Sequence, residues 1–225
     1  MAFQIPVWKY NGVVSISTVT ARLSQISRSI SLAANRNVNS TQIGNINIDL
    51  LVLELINLGY TEKQITGIDD NVIMYNWGIR LSLYTPPIPP PPPVSYLYEK
   101  YFSGDLSGVI GESVFVYYLT ENLGISPYYI AHLRPQKRKD ELSPDFIIYD
   151  RSKKLASLLG TTNYQDKIYA EVKGCMGDID DKRIERAIMQ LSRLVTSSNQ
   201  YGLIFLLNRP RGREKYKATI VVVRG

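Results

Sequence analysis

This chain of 225 residues has a single cysteine, Cys175, and a single histidine, His132. One cysteine excludes an intrachain disulfide framework and a cysteine-ligated zinc site. One histidine leaves no basis for a histidine-rich metal centre and argues against a Ser-His-Asp triad. No apolar run approaches the ~20 residues that span a bilayer. The start, Met1-Ala2-Phe3-Gln4-Ile5-Pro6, lacks the basic and long apolar stretches of a secretory signal. The expectation is a cytoplasmic, intracellular protein with no membrane partner. Any catalysis must then come from carboxylates, lysines and a bound cofactor.

Acidic charge is also in short supply. Lys and Arg number 26 against 20 Asp and Glu, giving a net charge of +6 and a pI near 9.3. The excess is uneven, with 6 basic and 5 acidic residues in 1–93 against 20 and 15 in 94–225. A basic surface favours a polyanionic partner and speeds encounter with it. Hydrophobic content of 44% is ordinary for a globular protein.

Seven of the twelve prolines fall between Pro86 and Pro93. Such a run adopts polyproline II and acts as a semi-rigid spacer. It divides the chain into an N-terminal module (1–85), a linker (86–93) and a C-terminal domain (94–225). In the module, Ser17 to Ala34 reads as a helix with Val19, Leu23, Ile26 and Ile30 on one face. Asn47 to Leu58 reads as a second helix, ended by Gly59. Thr61-Glu62-Lys63-Gln64 is a capping box for a short third helix. Residues 72–84 read as a hairpin. Together these resemble a small winged helix-turn-helix, although the module is nearly neutral. A dimerisation or packing role is the competing reading.

After the linker, Gly111 to Asn122 reads as a helix and Pro127 to Leu133 as a strand. A second strand follows Pro144, and Ser152 to Leu159 reads as a short helix stopped by Gly160. Lys167 to Gly174 is a third strand. A long helix capped by Asp178 or Asp180 runs to about Thr196. Tyr201 to Leu207 is a continuous apolar strand, and Ala218 to Val223 is the last. The fold class is α/β.

Two of these strands carry acids, although apolar strands normally exclude unpaired charge. Asp145 begins the second strand. Glu171 and Lys173 lie on the third, at i and i+2, and so face the same way, with Val172 opposite. An antiparallel pair folded about residue 158 sets Asp145 across from Glu171, with Cβ atoms about 5 Å apart. Two carboxylates that close repel unless a cation lies between them. A hard divalent ion such as Mg²⁺ takes oxygen ligands of this kind. Lys173 would then orient or activate a water.

Pro144-Asp145 followed by Glu171-Val172-Lys173 resembles the signature of the PD-(D/E)xK nuclease superfamily, over roughly residues 108–225. That superfamily includes restriction endonucleases and archaeal Holliday junction resolvases. The resemblance implies an αβββαβ restriction-endonuclease-like core and a Mg²⁺-dependent DNA endonuclease (Mn²⁺ substituting), commonly a homodimer. It implies metal ligation by Asp145, Glu171 and the Val172 carbonyl, with catalysis assisted by Lys173. It also makes Glu112 a third acid, although an acid near a helix start is favoured by the helix dipole in any case. Gln190 resembles a glutamine found on this helix in some branches.

Other residues suggest DNA contact. Lys182, Arg186, Gln190 and Arg193 recur at helical spacing, as either a backbone-tracking row or a solvated face. Lys137, Arg138 and Lys139 precede the Asp145 strand, and Arg209, Arg211 and Arg213 join the last two strands. Both loops are rich in phosphate-binding groups. His132, Cys175, Tyr149 and Tyr169 read as structural. Three alternatives compete with a structure-specific, junction-resolving nuclease. These are a sequence-specific restriction-type enzyme, a non-catalytic DNA-binding protein with a nuclease-like fold, and a structural carboxylate–lysine pair in an ordinary α/β domain.

Overall fold

The apolar run beginning at Tyr201 forms the middle of the molecule. The computed structural model describes residues 3–48, 106–126, 129–132, 144–175, 177–211 and 216–225. Within them, Tyr201–Asn208 is a strand buried along its whole length, as a strand covered on both faces must be. In chain order the elements are β1 (Phe3–Ser15), α1 (Ile16–Val19), a 3₁₀ turn at Thr20–Arg22, α2 (Leu23–Arg36) and β2 (Ser40–Ile48). These are followed by α3 (Leu106–Tyr117), a π-helical turn at Tyr118–Asn122, β3 (Ile130–His132) and β4 (Phe146–Tyr149). The remaining elements are α4 (Ala156–Leu159), β5 (Lys167–Cys175), α5 (Asp181–Ser192), β6 (Tyr201–Asn208) and β7 (Lys217–Arg224).

The seven strands of the described residues join one open, mixed sheet in the order β2-β1-β7-β6-β5-β4-β3. The β5–β6 and β1–β7 pairs are parallel and the rest are antiparallel. Side-chain alternation sorts the strands into two faces. Ile168, Ala170 and Val172 of β5 join Leu203, Phe205 and Leu207 of β6 against Val114, Phe115 and Leu119 of the α3 region. Ile204 and Leu206 of β6, with Val221 and Val223 of β7, pack against Ile30 and Ala33 of α2 and Ile184, Ala187, Ile188 and Leu191 of α5. The chain is thus an α/β protein with helices on both faces of its sheet.

The C-terminal elements follow the expected order, with shifted ends. The first helix starts earlier, at Leu106, and its expected last turn is π-helical. Asp180, rather than Asp178, caps α5, accepting the Arg183 N–H at 2.8 Å. Ser152 does not cap α4, but Gly160 ends it in the left-handed conformation at φ +75.

The N-terminal residues depart from expectation. Residues 3–48 do not form a separate module. β1 pairs with β7, and α2 packs on α5. The expected helix from Ser17 is present but broken by the 3₁₀ turn. Asn47, expected to open a second helix, instead lies in β2 opposite Gln4. Ile5 and Val7 point into the core as strand residues should, but Pro6 between them disguises the pattern. Pro6 pairs with Asn45 of β2 and precedes the ladder to β7, which begins at Val7. The second helix beyond Ile48, the capping box, the hairpin, the winged-helix likeness and the linker at 86–93 lie outside the described residues.

Gly202 permits the close approach of α5 to β6. A Cβ there would lie 3.2 Å from the Leu191 methyls and from Val195 Cγ2. Gly202→Val should therefore cost roughly 1–3 kcal/mol through overpacking, measurable as a lowered Tm at unchanged secondary structure.

Candidate functional site

The β4–β5 register places Phe146 opposite Ala170 and Ile147 opposite Tyr169. One step further sets Asp145 across from Glu171, as the fold about residue 158 predicts. The β5 residues Tyr169 and Cys175 pack with the α2/α5 face. Alternation puts Glu171 and Lys173 on that same face, while Val172 packs with the α3 side.

Glu171 is completely buried. The Lys173 ammonium donates to its Oε1, and the lysine side chain keeps 21% exposure. Oε2 of Glu171 is buried with no hydrogen-bond partner among the described residues. Asp145 is half-buried, and its Oδ2 accepts the Val172 N–H at 2.8 Å. This bond turns the Asp145 carboxylate toward the backbone between Glu171 and Lys173. The N–H and C=O of one strand residue point to the same side, so the Val172 carbonyl also faces the β4 side, beyond the last β4–β5 pair.

Burial pushes the Glu171 carboxyl up to about 8 and the negative charge of Asp145 pushes it the same way, while Lys173 and the Asp145 backbone N–H pull it partly back. A buried acid that repels its neighbour and leaves one oxygen unsatisfied is costly to the fold. Asp150, six residues from Pro144 at the far end of β4, shows the contrast. It is equally buried, but its Oδ1 accepts the Lys154 N–H at 2.8 Å. Its Oδ2 accepts the Leu155 N–H at 2.7 Å and the Tyr164 hydroxyl at 2.6 Å. Burial and this bond hold the Tyr164 hydroxyl well above the ordinary tyrosine range. Asp150 organises the β4–α4 turn with both oxygens bonded, whereas Glu171 pairs with Lys173 through Oε1 and leaves Oε2 unsatisfied among the described residues.

The donor set suits a hard divalent cation. It comprises two facing carboxylates, one with an unsatisfied buried oxygen, and a neighbouring carbonyl on the same side. Asp145, Glu171 and the Val172 carbonyl are the groups that would hold it. Glu112 is not gathered with them. Among the described residues no cluster of three or more His, Cys, Asp or Glu is arranged to hold a metal. Glu112 is half-buried on α3, which packs on the opposite face of the sheet; its neighbour Gly111 lies against the Gly174 backbone and the Val172 side chain.

The basic residues divide as follows. Lys182 and Arg186 are exposed on α5, and Arg193 is exposed at its end. Gln190 departs from that row and is buried. Each step of four residues turns about 40° past a full helical turn, so two steps from Lys182 carry Gln190 onto the sheet-facing flank. Arg209 and Arg211 sit beside the end of β5. The Arg209 N–H donates to the Cys175 carbonyl at 3.3 Å, and the Arg211 N–H to Asp178 Oδ1 at 3.1 Å. Lys137, Arg138, Lys139 and Arg213 lie outside the described residues.

Sequence reasoning missed Arg183. Its guanidinium donates to the Gly174 carbonyl at 3.1 Å, one residue beyond Lys173. The available signal was its position three residues after the Asp180 cap, on the same flank as Gln190. Comparison with protein-family models finds no match, and neither does comparison with characterised proteins or with solved structures.

Proposed function

We propose that this chain is a Mg²⁺-dependent endonuclease that hydrolyses phosphodiester bonds in DNA, with Asp145, Glu171 and Lys173 at its centre. The observation that carries this reading is Glu171, buried with its Oε2 unsatisfied among the described residues and one register step beyond the Phe146–Ala170 pair, across from Asp145. A divalent cation supplies Lewis-acid polarisation of a phosphate oxygen and neutralises developing charge. Asp145 and Glu171 hold their carboxylates on one side of β5, with Asp145 fixed by the Val172 N–H. Lys173, the partly exposed member of the trio, orients the attacking water or stabilises charge on the phosphate. Arg183, Arg209 and Arg211 lie beside the end of β5 and Lys182 is exposed on α5, positive charge suited to a phosphate backbone. The net charge of +6 fits a polyanionic substrate.

The Lys173–Glu171 contact itself favours a second reading, in which the pair is a structural ion pair. Cleavage of supercoiled plasmid and of a four-way junction, with Mg²⁺ or Mn²⁺, decides between them. Nicking that requires the cation and is lost in Asp145→Ala and Glu171→Ala supports the nuclease. Equal activity in both variants refutes it. Tight duplex binding without any calorimetric Mn²⁺ binding assigns the chain to non-catalytic DNA binding. Preferential cutting of the junction identifies a resolvase, and a discrete cut pattern on linear duplex identifies a restriction-type enzyme.

A further inference from the structure

The end of β5 is held from a distance by the N-terminal part of the chain. Asn35, in the last turn of α2, sets both ends of its side-chain amide against the backbone of one residue. Its Nδ2 donates to the Ile179 carbonyl at 3.0 Å, and its Oδ1 accepts the Ile179 N–H at 3.0 Å. The amide thus pairs with the Ile179 backbone as a neighbouring strand would. Ser31, one turn earlier, donates to the same carbonyl at 2.9 Å. Asn35 Oδ1 also accepts from Asn208 Nδ2 at 2.9 Å, and Asn208 is fully buried at the end of β6. Two residues before Asn35, the Ala33 carbonyl accepts from the buried Lys217 ammonium, which anchors this turn of α2 to β7.

The residues that Asn35 grips lead to the candidate site. Ile179 immediately precedes Asp180, the cap of α5, which accepts the Arg183 N–H at 2.8 Å. Arg183 in turn donates to the Gly174 carbonyl, next to Lys173. Asn208 pairs with Cys175 in the β5–β6 register, and the following Arg209 N–H donates to the Cys175 carbonyl. Both routes from Asn35 converge on Gly174 and Cys175, the segment just beyond Glu171 and Lys173.

We infer that Asn35 is a positioning residue for the site. It clamps the start of α5 and the end of β6, and so fixes the end of β5 where Lys173 sits. The statement about catalysis rests on the nuclease reading, whereas the clamp stands without it. A side-chain amide suits the role because it offers a donor and an acceptor in one plane, matched to a backbone N–H and C=O. Neither partner is adjacent in sequence, so the clamp exists only because residues 3–48 belong to the same sheet as the site.

The test uses the full chain with Asn35→Ala, the milder Ser31→Ala, and Asn35→Asp, which keeps the acceptor and loses the donor. Hydrogen–deuterium exchange reads the clamp directly. Asn35→Ala should speed exchange about tenfold or more in peptides covering 174–183 and 205–211, with β4 peptides unchanged. Ser31→Ala should give a smaller rise in the 174–183 peptides, and Asn35→Asp an intermediate one. Unchanged exchange at 174–183 overturns the clamp, and so does a uniform rise throughout a folded variant. Should Asn35→Ala fail to fold, the Ser31→Ala and Asn35→Asp patterns decide by the same criteria. Single-turnover cleavage then reads the catalytic claim. Asn35→Ala should slow the rate at saturating DNA at least tenfold, with the DNA Kd changed less than twofold. An unchanged rate overturns the positioning role. A wild-type chain that cuts no DNA refutes the nuclease reading, while the exchange pattern still decides the clamp.

Discussion

Glu171→Gln should abolish cation-dependent DNA cleavage while making the metal-free protein more stable at alkaline pH. The loss of rate should be at least ~10³-fold, equivalent to about 4 kcal/mol of transition-state stabilisation. The gain in stability follows from the raised carboxyl. Glu171 titrates near 8 in the fold against an ordinary value of 4.5. Between those values the folded state holds a proton that the unfolded state has released. Unfolding free energy therefore falls as pH rises from about 4.5 to 8, and the full cost is felt above 8. Glutamine is neutral throughout and bears none of this cost. Thermal melts of both forms without metal, at pH 5 and pH 9, should show the wild type losing stability with pH more steeply. The difference at pH 9 should be on the order of a few kcal/mol. Equal pH dependence in the two forms would show that Glu171 carries no such cost. A variant that is more stable and inactive is the expected signature of a site that keeps a charge for function.

Asp150→Asn should do the reverse and destabilise the protein without touching the chemistry directly. Asp150 accepts three hydrogen bonds in a buried turn, from Lys154, Leu155 and Tyr164. An amide presents an NH₂ to donors that need an acceptor, leaving at least one of them buried and unpaired. Each such group costs about 1–3 kcal/mol, so the variant should lose roughly 2–4 kcal/mol in a urea melt. Any residual folded fraction should bind Mn²⁺ as the wild type does. A neutral effect on stability would remove the distinction between a satisfied structural acid and an unsatisfied one. The two substitutions thus test opposite predictions, one in the turn after β4 and one on the neighbouring strand β5.

The sequence made the site more legible than the domain organisation. Asp145, Glu171 and Lys173 stood out because charge on an apolar strand is locally anomalous, and the period of two fixes which side chains share a face. The register followed from the symmetric placement of the two strands about residue 158, across a connection that holds only the short helix α4. β1 was hidden because Pro6 and Gly12 interrupt its alternation, and its partner β7 lies some two hundred residues away. Gln190 was misplaced by treating a four-residue spacing as a straight row, when the helix turns steadily out of it. Asn35 left no signal, and Arg183 only its place after the Asp180 cap, for a different reason. Their bonds go to the backbone atoms of Gly174 and Ile179, and backbone partners leave no mark in the identity of the residue contacted.

The most direct test of the account is a crystal of the wild-type protein soaked in millimolar Mn²⁺ and measured for anomalous scattering. One strong peak is expected between β4 and β5, within about 2.0–2.3 Å of a carboxylate oxygen of both Asp145 and Glu171. Full Mn²⁺ occupancy elsewhere in the crystal, with none at this position and Lys173 still paired to Glu171, would contradict it.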